Sequence, residues 1–271
     1  MISVLNNVSS LSAENALSST QTSLQNTLLQ LSTGLKINSG SDDGAGLSIA
    51  NGLGANMAAL TQSSQNASNG IGLLQTADGA LSQVTSLLNR AVTLATEAAN
   101  GDLTAAQSTA ADTEYQSILS EVTQIGSTTN FNGTAVFSAT PQTVFTSDGT
   151  AGGTTTTSTT TGVLSAAALL LTGDLTSIAD ATASLTAVTA AINIVAATRG
   201  TIGASVNQLA ADKNVENTEV TNLTSAQDNI QNADIGKTVA NMTQYNVLEQ
   251  TGMAALSQSN SAQQNVLKLL Q

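Results

Sequence analysis

"NASNGIGLLQTADGALSQVTSLLNRAVTLATEAANG", residues 66–101, carries the plainest pattern in the chain. Leu74, Ala77, Leu81, Val84, Leu88, Ala91, Ala95 and Ala98 alternate steps of three and four without a break. That spacing places all of them on one face of an α-helix at coiled-coil period. Leu73, Ala80, Leu87 and Leu94 run beside them at intervals of seven. Two adjacent apolar seams predict a helix that touches more than one neighbour. Asn100-Gly101 follows the last apolar residue and marks the stop.

Helical pattern extends on both sides. Upstream, Leu17, Leu24, Leu28, Leu31 and Leu35 are spaced 7, 4, 3 and 4, with the rest of the segment almost free of charge. A helix without a charged outer face is expected to be covered on several sides. Downstream, Tyr115, Ile118, Leu119, Val122 and Ile125 mark a shorter helix. From Leu185 to Ile230 a third pattern alternates threes and fours, interrupted by Arg199, Lys213, Glu216 and Gln227, which are expected to set register. The last segment, from Asp234, carries Ile235, Val239, Met242, Val247, Leu248, Met253 and Leu256 and ends in Val266, Leu267, Leu269 and Leu270. It is as poor in charge as the first.

Between these helices lie three irregular stretches. "LSTGLKINSGSDDGAGLSIANGLG" (31–54) loses its large side chains and sets Asp42 beside Asp43. Its glycines lack the Gly-Lys-Ser/Thr of a phosphate loop and the dinucleotide spacing, and its aspartates lack the spaced ligands and closing Glu of a calcium loop. A joint at 36–54, with Asp42 or Asp43 capping the next helix, is the expectation. In 129–148, Asn132-Gly133 is a turn signal, and Val136 and Phe137 are expected to pair with Val144 and Phe145 in a hairpin near 129–147, Pro141 lying near the turn. "GTAGGTTTTSTTTG" (149–162) has no periodicity and is expected to be a flexible surface loop. Its Thr154, Thr155, Thr156, Thr157, Ser158, Thr159, Thr160 and Thr161 are either O-glycan acceptors or an unmodified tract.

Composition agrees with a mainly α fold of long helices in a coiled-coil or bundle arrangement. Only 2% of the 271 residues are aromatic, so Leu, Val, Ile and Ala must supply the core. Net charge is −12, which disfavours a nucleic-acid partner. The two ends, 1–40 and 235–271, hold three lysines and two glutamates, so the acidity lies in the middle. Charge-poor ends can be packed against copies of themselves, and an acidic middle resists nonspecific clumping. No cysteine or histidine is present. That excludes Cys–His and Ser–His nucleophiles and His-ligated zinc. No enzyme activity, metal or cofactor is expected. The N-terminus has no basic n-region, and the longest apolar run is Ala166–Leu171. No Sec-type signal and no membrane insertion are expected.

Several ordered stretches resemble bacterial flagellin. They are 31–50, usually with Arg where Lys36 stands, 66–101, "TNFNG" at 129–133, "RGTIGASVNQL" at 199–209, 229–260 and "VLKLL" at 266–270. The resemblance implies a structural subunit that polymerises into the flagellar filament for swimming. It implies that 1–40 pairs with 235–271 as an inner-core coiled coil. Residues 41–138 with 180–234 would form a rod-shaped outer-tube domain with its hairpin, and 139–179 a short variable surface region. Gly34, Gly40, Asp42, Asp43, Gly44 and Gly46 would be the spoke. Leu17, Leu24, Leu28, Leu31, Leu35, Ile235, Val239, Met242, Leu248, Leu256, Leu267 and Leu270 would pack between subunits.

It further implies type III flagellar export, a chaperone on the C-terminal helix, and hook-associated and cap proteins as partners. The ends would be largely disordered before assembly. Arg90, Leu94 and Glu114 match the family's Toll-like receptor 5 contacts, but Val92 and Thr93 replace flanking charges, so weak recognition is expected. A hook–filament junction protein shares the terminal patterns; the match along 66–101 favours flagellin. The absent histidine excludes a flagellin with a metallopeptidase insert, and the charge-poor ends argue against a monomeric binding protein.

Overall fold

A computed structural model describes residues 7–148 and 156–269, with side chains through Asn265. Five helices carry the fold: α1 (Val8–Thr33), α2 (Gly44–Ala99), α3 (Ala105–Thr128), α4 (Ile178–Gln231) and α5 (Ile235–Leu269). Among the described residues, four short strands lie between α3 and α4: β1 (Asn130–Phe131), β2 (Thr134–Ala135), β3 (Gln142–Phe145) and β4 (Thr156–Thr159). The chain divides into two compact units. A terminal unit runs through Ala55 and resumes at Asn222, and a central unit spans Asn56–Thr221.

In the terminal unit α1 and α5 lie antiparallel. Asn7 Nδ2 donates to Gln263 Oε1 at 3.2 Å, Ser10 Oγ to Asn260 at 3.0 Å, and Gln21 to Glu249 at 3.3 Å. Leu17 lies over Gly252, and Leu35 bridges to Asn232. α1 begins at Asn7, whose side chain accepts from the Ser10 N–H, and stops at Gly34, which adopts φ 74°. L-residues with a Cβ rarely enter that region, so a glycine is required there. On α1, Thr20, Thr22, Thr27 and Thr33 each return their hydroxyl to the carbonyl four residues back, at 2.7–3.1 Å.

The joint is shorter than expected. Helix α2 already begins at Gly44, so the glycines at 44–54 are helical and only 34–43 is irregular. Asp43 is the cap: its Oδ1 accepts from the Gly46 N–H at 2.9 Å. Asp42 instead closes the preceding turn, its Oδ2 accepting from the Asn38 and Ser39 N–H groups at 3.0 and 2.9 Å. Those bonds hold its carboxyl below the usual range. The terminal unit reaches past the sequence borders at 40 and 235 because the two neighbouring helices also meet: Gln227 Nε2 donates to the Ala50 carbonyl at 3.2 Å.

The central unit is built on the stripe of residues 74–98. All eight of its members are at most 5% exposed. Tyr115, Ile118, Leu119 and Val122 of α3 pack with them, as do Val188, Ala191, Val195, Ile202 and Leu209 of α4. On α4 the fully buried positions Ala181, Val188, Val195, Ile202, Leu209 and Glu216 recur every seventh residue. Arg199 interrupts the seam as an ion pair with Asp78, at 2.7 Å.

Two expectations about the strands are corrected. Val136 and Phe137 do not pair with Val144 and Phe145. The turn at Asn132-Gly133 joins only β1 and β2, and β3 pairs antiparallel with β4. The threonine tract is therefore part strand, not all loop. Thr157, Thr159 and Thr161 are buried and Thr156, Ser158 and Thr160 exposed. Burial of a threonine is tolerated when its hydroxyl has a partner; Thr157 donates to Asp212 at 3.2 Å and Thr161 to the Val136 carbonyl at 2.6 Å. A third expectation is amended too. Although no unbroken apolar run is long, α4 contains an 18-residue window of mean hydropathy 1.5, long and apolar enough to cross a membrane by length and composition alone. Alanine interleaved with Val, Ile and Leu raises its mean, and its buried stripe serves the core of the central unit.

Candidate functional site

The α1–α5 pair leaves many of its apolar side chains open. On α1, Val8, Leu11, Leu28 and Leu29 are exposed, Val8 by 70%. On α5, Ile235, Val239, Val247, Leu248 and Met253 are exposed. The buried residues of these helices, among those described, are Thr27 and Thr238. Little charge solvates the surface: Glu14 on α1, and Lys237 and Glu249 on the described part of α5. These nine apolar side chains are 40–70% exposed, so covering the open part of each would contribute about 1 kcal/mol. Exposed apolar side chains thus recur along both helices, from Val8 to Leu29 on α1 and from Ile235 to Met253 on α5.

The sequence-derived packing residues divide between the two surfaces of this pair. Leu17, Leu24, Leu31, Leu35, Met242 and Leu256 are half-buried, while Leu28, Ile235, Val239 and Leu248 are open. Leu270 and the side chain of Leu267 lie outside the described residues. Val8, Leu11 and Leu29 were not singled out by the leucine stripe. Leu11 and Leu29 are 18 residues apart, about five helical turns, so a search for a second face would have joined them.

In the joint, Gly34 and Gly46 have structural reasons to be glycine. A Cβ on Gly46 would come 2.8 Å from Ile37 Cδ1, and Ile37 is buried. Gly40 and Gly44 face open space. On the central unit, Arg90 forms a two-bond pair with Glu114, at 2.7 and 2.9 Å. Each holds the other in its charged form: Glu114 raises the guanidinium, and Arg90 lowers the carboxyl. Leu94 does not stand with them at the surface. It is 3% exposed and belongs to the core, because the seam of residues 73, 80, 87 and 94 turns inward at its last member. Among the described residues, no cluster of three or more acidic side chains is placed to hold a metal ion.

Comparison with known proteins finds a match in each half of the chain. Residues 4–142 match the bacterial flagellin N-terminal helical region, and residues 185–270 match the C-terminal helical region. The chain belongs to the bacterial flagellin family. It is 33% identical over 249 residues to a flagellin of Halalkalibacterium halodurans, covering 91% of each chain. It is 31% identical to a flagellin of Bacillus subtilis strain 168, covering 97% of this chain and 98% of that one. The crystal structure of Bacillus cereus flagellin superposes with a TM-score of 0.50 at 26% identity, over 60% of this chain and 94% of that chain. The chain is thus a structural subunit of the flagellar filament, a helical homopolymer that serves motility outside the cell. Membership fits the surface just described. Repeated contacts between copies that do not close on themselves extend into a filament.

Proposed function

We propose that the open faces of α1 and α5 are the surfaces through which subunits polymerise, so that 1–40 with 235–271 forms the inner wall of the filament. Residues 41–138 with 180–234 then form its outer wall, 139–179 its short variable region, which presents Thr156, Ser158 and Thr160 outward while Leu164, Leu169 and Leu171 join the core, and the turn at 34–43 the spoke. The carrying observation is the pairing of exposed apolar side chains with an almost uncharged surface on both helices. Burial of that surface drives assembly, offset by the entropy of ordering ends that are loose in the free chain. Seeded polymerisation tests this. The purified chain, given short filament seeds, is expected to elongate into long filaments by sedimentation and electron microscopy. A version ending at Asp234 is expected to stay in the supernatant. Elongation by the truncated chain at the full rate would refute the assignment.

The same α5 face is the surface a flagellar export chaperone would hold before secretion through the type III apparatus. The truncated chain should then lose chaperone binding together with assembly. Hook-associated and cap proteins would meet the same terminal helices at the filament's ends. Toll-like receptor 5 is expected to respond weakly. Leu94 is inside the core, Arg90 and Glu114 satisfy each other, and the flanking Val92 and Thr93 offer no charge. A reporter-cell response equal to that of a potent flagellin would contradict this.

If the threonine tract carries O-glycans, the acceptors are Thr156, Ser158 and Thr160, whose side chains face out. Thr154 and Thr155 lie outside the described residues. Peptide mass mapping of filaments from the producing cell decides: sugar on Thr157 or Thr159 would be incompatible with their burial in the folded chain.

A further inference from the structure

Glu216 is a carboxylic acid in the core seam of α4, 5% exposed, with its Oε2 buried and without a hydrogen-bond partner. Its Oε1 lies 2.5 Å from Ser63 Oγ on α2, and Ser63 is itself 1% exposed. The same Ser63 Oγ lies 3.3 Å from the Phe145 carbonyl at the end of β3. A serine hydroxyl has one proton to donate. It can serve both acceptors only if one of them brings a proton of its own, and the carbonyl has none. With Glu216 protonated, its hydroxyl donates to Ser63, and Ser63 donates to Phe145. With Glu216 ionised, the carboxylate is the stronger acceptor and takes the Ser63 proton. The Phe145 carbonyl then loses this donor. The partnerless Oε2 points the same way, since a buried neutral carbonyl oxygen costs less than half of an unpaired carboxylate.

We propose that Glu216, Ser63 and the Phe145 carbonyl form a proton-operated latch, which fastens β3 to the helices of the central unit when Glu216 is protonated and loosens it when Glu216 ionises. Strand β3 is suited to such control because it is lightly held. None of its residues is fully buried, and Phe145 is 40% exposed. Val144 rests over Gly70, where even a Cβ would come within 2.6 Å of it, and beside that contact opens a cleft of about 340 Å³ lined by Leu73, Phe131 and Val144.

The surroundings set the direction. Burial pushes the Glu216 carboxyl up, the Ser63 bond opposes this, and the Asp212 and Glu219 carboxylates on the same helix push it further up. Helix α2 carries no ionisable group before Asp78, and β3 and β4 carry none. Lys213 is one turn away on α4 and Asp148 three residues beyond Phe145; among the described residues no ion pair reaches Glu216. A carboxyl raised on folding stabilises the folded form fully below its unfolded value of 4.5. That stabilisation is lost as pH rises through the folded value.

Hydrogen exchange on the full-length chain tests the latch. Protection factors of the amides of Gln142–Phe145, corrected for intrinsic exchange, are followed from pH 4 upward. They are expected to fall by up to about tenfold per pH unit through the titration, one proton being coupled to opening. In Glu216→Gln the amide N–H₂ replaces the acid proton, and protection should become independent of pH. Ser63→Ala removes the relay while leaving the carboxyl to titrate, and should give low, pH-independent protection of β3. The proposal is overturned if the wild-type chain shows a flat profile, or if either variant keeps the wild-type slope. Should Glu216→Gln fail to fold, the Ser63→Ala profile alone decides.

Discussion

Gly126→Ala is expected to destabilise the central unit by about 3 kcal/mol or more, at the upper end of what overpacking costs. The reason is a backbone approach, not a backbone conformation. Gly126 lies in the last turn of α3, where the chain returning toward α4 crosses it. A Cβ built there would fall 1.8 Å from the carbonyl oxygen of Leu164 and 2.7 Å from its carbonyl carbon. A flexible side chain could swing away, but Leu164 is a backbone contact and its side chain is anchored in the core. Either α3 unwinds at its end or the segment carrying Leu164, Leu169 and Leu171 lifts off. Gly79 supplies the control. It lies inside α2 and has nothing within 4 Å of a prospective Cβ. Gly79→Ala should therefore stabilise by roughly 0.5–1 kcal/mol through helix propensity. Urea denaturation of the two monomers should shift the midpoints in opposite directions. Equal shifts would mean that the crossing at Gly126 is looser than its geometry.

Leu88→Ala and Leu28→Ala are expected to separate folding from assembly. Leu88 is fully buried in the core of the central unit, and its truncation should cost about 3 kcal/mol of monomer stability, transfer and cavity contributions together. Leu28 is 46% exposed on α1, so its truncation should cost the monomer no more than about 0.5 kcal/mol. The order reverses for polymerisation. A Leu28 side chain covered by a neighbouring subunit is lost from every contact along the filament, so seeded elongation should slow markedly. Leu88→Ala, assayed well below its own melting temperature, should elongate as the wild type does. If Leu28→Ala elongated normally, the open face of α1 would not be an assembly surface.

The helices were legible because their burial follows local spacing. The stripe from Leu74 to Ala98 needed no knowledge of its neighbours, and each member is buried as spaced. What was not legible depends on partners far along the chain. The β-branched threonines of "TTST" at 156–159 favour a strand, but no apolar alternation marks one, and their alternation of buried and exposed hydroxyl residues appears only when β3 lies beside them. Glu216 looked like an interruption of an apolar seam. Its burial requires Ser63, 153 positions away. Leu94 and Leu28 show the same limit in reverse. Both occupy apolar seams in the sequence, yet one is sealed inside its unit and the other left open, because only the first has a third helix against it. The proposed assembly surface was half legible. Its poverty of charge is a property of composition, whereas Val8, Leu11 and Leu29 show themselves only once α5 has taken up the leucine stripe.

The threonines of α1 that fold their hydroxyls back onto the preceding turn have an effect beyond the helix. A hydroxyl occupied in this way turns a methyl group outward, so a face rich in threonine is less hydrophilic than its composition suggests. Such a face holds almost no fixed ions and gathers almost no counterions. Two copies can therefore be brought together without displacing an ionic atmosphere, and screening of fixed charges by dissolved salt has little hold on such a contact. For a propeller that works outside the cell, in water whose salinity its owner does not control, that indifference is a mechanical property written in side chains that carry no charge at all.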